Sequence, residues 1–144
     1  FMRDAGTVEL TDVTFDCGNE HATLIAVSMD ERPLAGSGKI LLQVGLPARP
    51  TGWRESRTTF TPRKSDQKRQ GLLIEATGDM PWRIQNAQLT VTIRNPKLSS
   101  ATLLDGNGIP LRRLELESID NGVRLVCPPE SFYILLGADS GSTL

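Results

Sequence analysis

The feature that most constrains the fold of this chain is the alternation of apolar and polar residues between turn sequences in its last third. Residues 114–117 read LELE, and DNG at residues 120–122 then separates them from VRL at residues 123–125. Successive side chains of a β-strand point to opposite faces of the sheet, so this pattern predicts strands that bury one face. Asn121-Gly122 suits the positive φ angles of tight hairpin turns, and we therefore expect a hairpin here.

Short β-rich runs bounded by turn residues recur along the chain. They cover residues 8–17, 22–29, 39–46, 71–77, 87–95, 100–104 and 132–136. A second hairpin is expected at DGNG, residues 105–108. No window of helical length carries an apolar stripe at three- and four-residue spacing. The sequence therefore predicts an all-β fold, an antiparallel β-sandwich of the jelly-roll or Greek-key type.

Length and composition guide the domain organisation. The 144 residues fit a single domain, placed over residues 1–144, and the chain begins with Phe1 rather than Met, so we expect a fragment of a larger protein. Residues 54–70 contain six Lys or Arg residues against two acidic residues. Such a basic, polar segment predicts a solvated loop or a loose hairpin at one end of the sandwich.

The overall charge and the longest apolar runs argue against two classes of partner. A net charge of −1 provides no global field that would attract nucleic acid or an anionic membrane. The longest apolar runs are too short to span a bilayer. We therefore expect neither nucleic acid nor a membrane as a partner.

The glycine-rich stretch GSGK, residues 36–39, raises the question of a phosphate-binding loop. Such a loop needs a Gly five residues before its Gly-Lys pair, a hydroxyl residue after the Lys, and a following helix. Pro33 and Ile40 occupy those two positions, and the residues that follow form a β-type run. The stretch is therefore better interpreted as a turn that leads into a strand.

Combinations of residues that could carry catalysis are scarce. His21 is the only histidine, and one His with two distant Cys residues does not supply a zinc site. Glu115 and Glu117 share one strand face, whereas glycoside cleavage needs two carboxyl groups that face each other across a sugar. We predict no catalytic residue, metal or cofactor; a hydrolase using carboxylates such as Asp79 or Asp105 is a weaker alternative.

The two cysteines, Cys17 and Cys127, each close an alternating run and should point to the same face as their apolar neighbours. If their strands are neighbours, the sulfurs could form a disulfide that closes a long loop. Otherwise they are buried free thiols that pack as small apolar side chains. The sequence leaves both states open.

The two tryptophans both follow turn sequences, PTG before Trp53 and MP before Trp82. Exposed indole rings at such places could bind sugar, with Arg83 and Gln85 as polar neighbours. Alternatively, each ring caps one end of the core and its N–H finds a partner. These four residues are therefore candidates for carbohydrate or interdomain contact.

Several phrases occur together in a characteristic order. They are SMD (28–30), RPL (32–34), GKILLQVG (38–45), RPTGW (49–53), PWRIQN (81–86), ATLLD (101–105) with Gly108, and Pro128 before FY (132–133). This set resembles the non-catalytic β-sandwich region that follows the barrel in large bacterial glycoside-hydrolase-like proteins. The resemblance extends over most of the chain.

The resemblance implies a non-catalytic accessory domain that packs on, or links, the catalytic module of a carbohydrate-active parent protein. That parent would act on polysaccharide in the extracellular space or the periplasm. The resemblance also implies that GSGK precedes a core strand, with Ile40, Leu41 and Leu42 buried. The family's catalytic carboxylates lie in the barrel, so none is carried over to this chain, which is not expected to be an enzyme. The alternative is a carbohydrate-binding module that contacts polysaccharide through Trp53 and Trp82.

Overall fold

The structure, a computed structural model, describes residues 5–64 and 66–138 and consists mainly of β-strands. The strands are β1 (Thr7–Glu9), β2 (Val13–Cys17), β3 (Thr23–Ser28), β4 (Lys39–Gly45), β5 (Ala48–Thr51), β6 (Arg54–Phe60), β7 (Arg69–Ala76), β8 (Asp79–Ile84), β9 (Leu89–Ile93), β10 (Ser100–Leu104), β11 (Pro110–Leu114), β12 (Glu117–Ile119), β13 (Gly122–Val126) and β14 (Tyr133–Gly137). A 3-10 helix covers Leu34–Gly36. The strands pair in antiparallel fashion, and the predicted all-β antiparallel sandwich is confirmed.

The chain divides into two compact units. The first contains the residues up to Leu46 and from Asn86 onward, and the second is the insertion Pro47–Gln85. Neither junction carries a Gly- or Ser-rich linker, so composition offers no signal of a boundary. The single domain placed over residues 1–144 thus contains a unit that the sequence did not reveal.

The first unit is a β-sandwich of two five-stranded sheets. Sheet A has the strand order β1-β2-β9-β13-β12, and sheet B has the order β11-β10-β14-β4-β3. Hairpins connect β1 to β2, β3 to β4, β10 to β11 and β12 to β13, whereas the remaining connections pass from one sheet to the other. Non-consecutive strands therefore lie side by side, as in Greek-key sandwiches.

The core of the first unit lies between the sheets and takes side chains from both. Sheet A contributes Val13, Phe15, Val91, Ile93, Val123 and Leu125, and sheet B contributes Ile40, Leu42, Val44, Ala101, Leu103, Ile134 and Leu136. Along each strand these are alternate residues, as the pleat of a sheet requires. Full burial of one such aliphatic side chain contributes about 1.5–3 kcal/mol, so this layer is the main source of stability.

The LELE segment alternates in burial as predicted, but it is not one strand. β11 ends at Leu114 in sheet B and β12 begins at Glu117 in sheet A. Leu114 and Leu116 pack against the core, while Glu115 and Glu117 are exposed. Periodicity identifies the buried face correctly but cannot reveal the change of sheet, because the alternation continues through the crossing.

The hairpin predicted at DNG is confirmed, but the expected positive φ at Gly122 is wrong. Gly122 pairs with Ile119 across the turn between β12 and β13 and does not have a positive φ, unlike Gly108 in the DGNG hairpin. A Cβ atom at Gly122 would collide with the carbonyl oxygen of Ile93 and lie 2.9 Å from the amide nitrogen of Asn95. A glycine is required here because the backbones of β13 and the end of β9 approach so closely.

The GSGK stretch is the turn before a core strand. Lys39 begins β4, and Ile40 and Leu42 are buried. The expectation that Leu41 is equally buried is wrong: it is half-buried, because alternate residues of β4 point to the outer face of sheet B.

The turn is held by the carboxylate of Asp30. This carboxylate accepts hydrogen bonds from the hydroxyls of Ser28 and Ser37, at 2.9 and 2.7 Å, and from the amide of Gly38 at 2.7 Å. Hydrogen bonds from the Ser37 hydroxyl and from the Gly38 amide lower the pKa of Asp30 to about 2. The ionised carboxylate therefore organises the chain that enters β4.

A buried polar residue, Asn95, connects the two sheets. Asn95, just after β9, is fully buried, and its Nδ2 donates to the carbonyl oxygens of Leu34 and Ser37, both at 2.7 Å. Its Oδ1 accepts from the amide of Lys97 at 3.1 Å. The end of a sheet A strand is thus tied to the turn that precedes β4 of sheet B.

The second unit consists of two antiparallel ribbons, β5 with β8 and β6 with β7. Residues 54–60 pair with residues 69–76, so the loose-hairpin alternative for the basic segment is confirmed. β5 and β8 were not predicted as strands, and β6 was expected only as one side of that hairpin. Most of their residues are exposed, so they lack the burial-driven alternation that marks the sandwich strands.

We expect Gly122→Ala to lower the free energy of unfolding by about 2–3 kcal/mol, because the added methyl group forces two strands apart. Urea denaturation of the 144-residue chain measures this loss. Gly106→Ala is the matched control, since a Cβ at Gly106 meets no atom within 4 Å. Equal effects of the two substitutions would contradict the close-approach argument.

Asp30 should make stability depend on acidity in a defined range. Its folded pKa of about 2 lies below its ordinary value of 3.8, so its contribution is complete above about pH 4 and is lost as the pH falls toward 2. Asp30→Asn should reduce the difference in unfolding free energy between pH 5 and pH 2. Asp16→Asn, which alters an exposed carboxylate, is the control and should retain the wild-type difference.

Candidate functional site

Trp82 is the more exposed of the two tryptophans, and its exposure does not fit the alternative in which the ring buries most of its surface. It lies on β8 with 58% of its surface exposed. Pro50 pairs with Trp82, and Ala48 pairs with Ile84. Residues that pair across an antiparallel ribbon lie on one face. The β5–β8 ribbon therefore has an apolar face with an exposed indole ring.

Trp53 is half-buried, and both its side chain and its backbone are held in place. The indole Nε1 donates to Glu55 Oε2 at 2.9 Å, and the Arg49 guanidinium lies 4.9 Å from the ring centre. The amide of Trp53 donates to the carbonyl oxygen of Pro50 at 3.1 Å, and Gly52 has a φ of +84°. This is the pattern of a type II turn, which returns the chain so that Trp53 meets Arg49.

Gly78 packs against this turn. A Cβ atom at Gly78, whose φ is +68°, would collide with the carbonyl oxygen of Thr51 and lie 2.8 Å from the amide nitrogen of Trp53. The turn that positions Trp53 therefore depends on a glycine in a neighbouring strand connection.

Arg83 does not lie beside Trp82 on one surface. Successive residues of a strand point to opposite faces, so Arg83 shares the other face of the ribbon with its cross-strand partner Arg49. Gln85 follows β8, is exposed, and donates its amide to the carbonyl oxygen of Pro47 at 3.2 Å. The structure thus joins Arg83 to Arg49, a residue that sequence reasoning missed although it lies four positions before Trp53.

Sheet B is apolar on the outer face of β3, β4 and β14, whereas Thr102 and Arg113 continue the same row on β10 and β11. Val27, Leu41 and Leu135 form one row across β3, β4 and β14, and Ile25, Gln43 and Tyr133 form the next row. Val27 is 42% exposed and Ile25 is 41% exposed. A shallow depression of about 270 Å³ lies at Ile25, Gln43, Tyr133 and Phe132. We call these two rows the outer apolar face.

The outer face of sheet A has the opposite character. Thr14, Thr92, Arg124 and Glu117 form one row across four of its strands. Arg124 and Glu117 are 3.6 Å apart and form an exposed ion pair. Such a polar row is typical of a sheet face in contact with water, so the sandwich has one face suited to water and one that is not.

A sequence signal for the outer apolar face exists, although sequence reasoning interpreted it as core. Residues 40–42 read ILL and residues 133–136 read YILL, without the alternation seen elsewhere. Continuous apolar runs are typical of strands that are covered on both faces. Leu41 and Leu135 are the residues that break the alternation and point outward.

The disulfide that the sequence left open is not formed. Cys17 and Cys127 are both buried free thiols. Cys17 pairs with Leu89, and the amide of Cys127 bonds to the carbonyl oxygen of the same residue, so β9 lies between the two cysteine strands. Adjacent strands are about 4.8 Å apart, which places the two Cα atoms roughly 10 Å apart, beyond the ~7 Å limit of a disulfide. Burial raises the pKa of Cys127 to about 12, with a further contribution from Cys17.

The carboxylates considered for hydrolysis have structural roles or lie in the open. Asp105 Oδ1 accepts hydrogen bonds from the amides of Asn107 and Ile109, both at 2.8 Å, and so closes the DGNG turn. Asp79 is exposed at the start of β8. Within residues 5–64 and 66–138, no group of three or more His, Cys, Asp or Glu side chains is arranged to hold a metal ion. In the same residues, no helix has the length and apolarity to cross a membrane.

Comparisons of the chain with protein-family models, with curated proteins and with solved structures found no match.

The two tryptophans should differ in their access to solvent. Iodide should quench the emission of Trp82, because its ring is largely exposed, more strongly than that of Trp53, whose ring is half-buried against Arg49. Trp82→Phe should therefore remove most of the quenchable fluorescence, and Trp53→Phe should leave most of it. If the two variants are quenched equally, the difference in exposure is wrong.

Proposed function

We propose that this chain is a non-catalytic accessory domain of a carbohydrate-active protein and that it packs against the catalytic module of that protein. The observation that supports the proposal is the outer apolar face of sheet B, set against the polar outer face of sheet A. Covering an apolar sheet face with another surface is favourable, because it removes apolar side chains from water. The proposal assigns that covering surface to the catalytic module.

The face is small for a contact between domains. Its three strands are spaced about 4.8 Å apart, and about five residues of each span roughly 14 Å by 17 Å, or about 240 Å² on this side. A partner of equal area brings the total to about 480 Å², below the roughly 600–1,500 Å² of interfaces between domains of one chain. The proposed contact would therefore depend on a covalent connection between the two modules.

The composition of the face indicates the chemistry of the partner surface. The row formed by Val27, Leu41 and Leu135 carries no charge, so the opposing surface should be aliphatic or aromatic at its centre. Gln43 and Tyr133 add an amide and a hydroxyl group in the next row, which can form hydrogen bonds at the edge of such a contact. A charged group placed in the row of Val27, Leu41 and Leu135 would be buried in the contact without a group of opposite charge.

A carbohydrate-binding module is the second candidate, because the indole ring of Trp82 is exposed on an apolar ribbon face. A flat exposed ring of this kind can stack on the apolar face of a sugar. A neutral soluble polysaccharide that protects Trp82 from iodide would support this function. Equal quenching with and without a panel of such polysaccharides would argue against it.

We expect Val27→Lys to separate the accessory domain from its module. In the longer polypeptide that contains both, the substitution should lower the stability of the contact by about 2 kcal/mol or more, because an ammonium group becomes buried without a partner. Calorimetry should then resolve two melting transitions where the wild type shows coupled unfolding. Thr92→Lys, on the polar outer face of sheet A, is the matched control and should change neither transition.

Hydrogen exchange provides the decisive comparison. Amides of β3 and β14 should exchange more slowly in the longer polypeptide than in the 144-residue chain, because a partner covers their outer face. Identical exchange in the two proteins would show that the face stays open and that the proposed packing is wrong. The Val27→Lys chain by itself should remain folded, since Val27 is already 42% exposed there.

A further inference from the structure

Charge is divided unequally between the two units of the chain. Residues 47–85 contain eight Lys or Arg residues and four acidic residues, a net charge of +4, whereas the remaining residues contain eight against thirteen, a net charge of −5. The near-neutral total therefore conceals a basic insertion and an acidic sandwich. A local excess of positive charge raises the concentration of anions near a surface and speeds their association.

Within the insertion, two arginines are paired in register across the β5–β8 ribbon. Arg49 of β5 and Arg83 of β8 are cross-strand partners on the same face of the ribbon. Like charges in this position repel each other unless an anion lies between them. In the described part of the chain neither guanidinium forms an ion pair. The ribbon thus presents two guanidinium groups that no carboxylate of residues 5–64 and 66–138 pairs with.

One of the two guanidinium groups is held in a defined orientation. Arg49 lies over the Trp53 ring at 4.9 Å and donates from Nη1 to the carbonyl oxygen of Ala48 at 3.1 Å. The ring is itself held by the hydrogen bond from its Nε1 to Glu55. A guanidinium fixed in this way loses less conformational entropy when it binds an anion. Glu55 is the nearby acid of this arrangement, and its carboxylate bonds to the indole rather than to an arginine.

We propose that Arg49 and Arg83, with Trp53 as the support of Arg49, form a binding site for the anionic group of an acidic polysaccharide. The guanidinium fork matches the geometry of carboxylate and sulfate oxygens, and two forks can share one such group.

The choice of a polysaccharide over nucleic acid rests on the proposed function and on one further observation. Single-stranded nucleic acid needs aromatic rings free to stack on bases, whereas the Trp53 ring is covered by the Arg49 guanidinium.

The test measures binding of the whole 144-residue chain to three polysaccharides in 150 mM salt by calorimetry. Polygalacturonate offers carboxylates, dextran sulfate offers sulfate esters, and unmodified dextran offers neither. We expect binding to one or both anionic polymers and none to dextran. Preference for polygalacturonate would identify a carboxylate site, and preference for dextran sulfate would identify a sulfate site.

Variants locate the site. Arg49→Gln and Arg83→Gln should each raise the Kd at least tenfold, and Arg83→Lys should raise it about threefold because it keeps the charge but loses the fork. Arg57→Gln is the matched control: it removes the same charge from an exposed position of the same insertion and should change the Kd less than threefold. Melting temperatures of the variants close to that of the wild type show that folding is retained.

Three results would overturn the inference. They are absence of binding to both anionic polymers, an effect of Arg57→Gln as large as that of Arg83→Gln, and equally tight binding of single-stranded DNA. These results do not bear on the proposed packing against a catalytic module. That packing is tested separately, by Val27→Lys in the longer polypeptide, so the two proposals can fail independently.

Discussion

The burial of one apolar face of each sheet against the other is the interaction on which the sandwich depends. Ile40, Leu42, Ile134 and Leu136 of sheet B are fully or almost fully buried against the inner face of sheet A. Because the side-chain period of a strand is two residues, a slip of one residue would turn these side chains outward. The turns and hydrogen bonds of the first unit are compatible with the register that keeps these side chains between the sheets.

Two local features allow the strands and their connections to approach each other closely: a glycine, and polar side chains that bond to the backbone. At Gly122 the absence of a side chain allows β13 to approach the end of β9. At the entrance to β4, polar side chains replace missing backbone partners: Asn95 bonds to two carbonyl oxygens and Asp30 to three donors. Among the described residues every buried side-chain nitrogen or oxygen has a hydrogen-bond partner, so the close packing leaves none of these atoms desolvated and unpaired. Order at this end of the sandwich therefore comes from hydrogen bonds as much as from apolar packing.

The two proposed surfaces rest on different forces and on different units. A contact at the outer apolar face of sheet B would be stabilised by the removal of apolar surface from water. This hydrophobic effect does not discriminate strongly among apolar partners. Arg49 and Arg83 would bind favourably only an anion of suitable geometry. Their site is therefore the more selective of the two surfaces. A basic insertion in an acidic sandwich is consistent with two separate contacts. Each can be removed by substitutions that leave the other intact.

Local sequence determined which residues form strands in the sandwich and which face of each strand is buried, because alternation is a property of neighbouring residues. The LELE segment and the alternating runs that end at Cys17 and Cys127 show this, and the DGNG turn follows from its own residues. Tertiary structure alone decided which strands became neighbours. For that reason the sequence could not show that β9 separates Cys17 from Cys127, or that Leu41 points to an apolar outer face.

The same limit applies to the insertion. Trp82 and Arg83 are adjacent in sequence yet point to opposite faces. Arg83 pairs with Arg49, 34 positions earlier, only because two strands pair. Pairing of distant strands depends on hydrogen bonds and packing summed over the whole fold, and no short stretch of sequence contains that information.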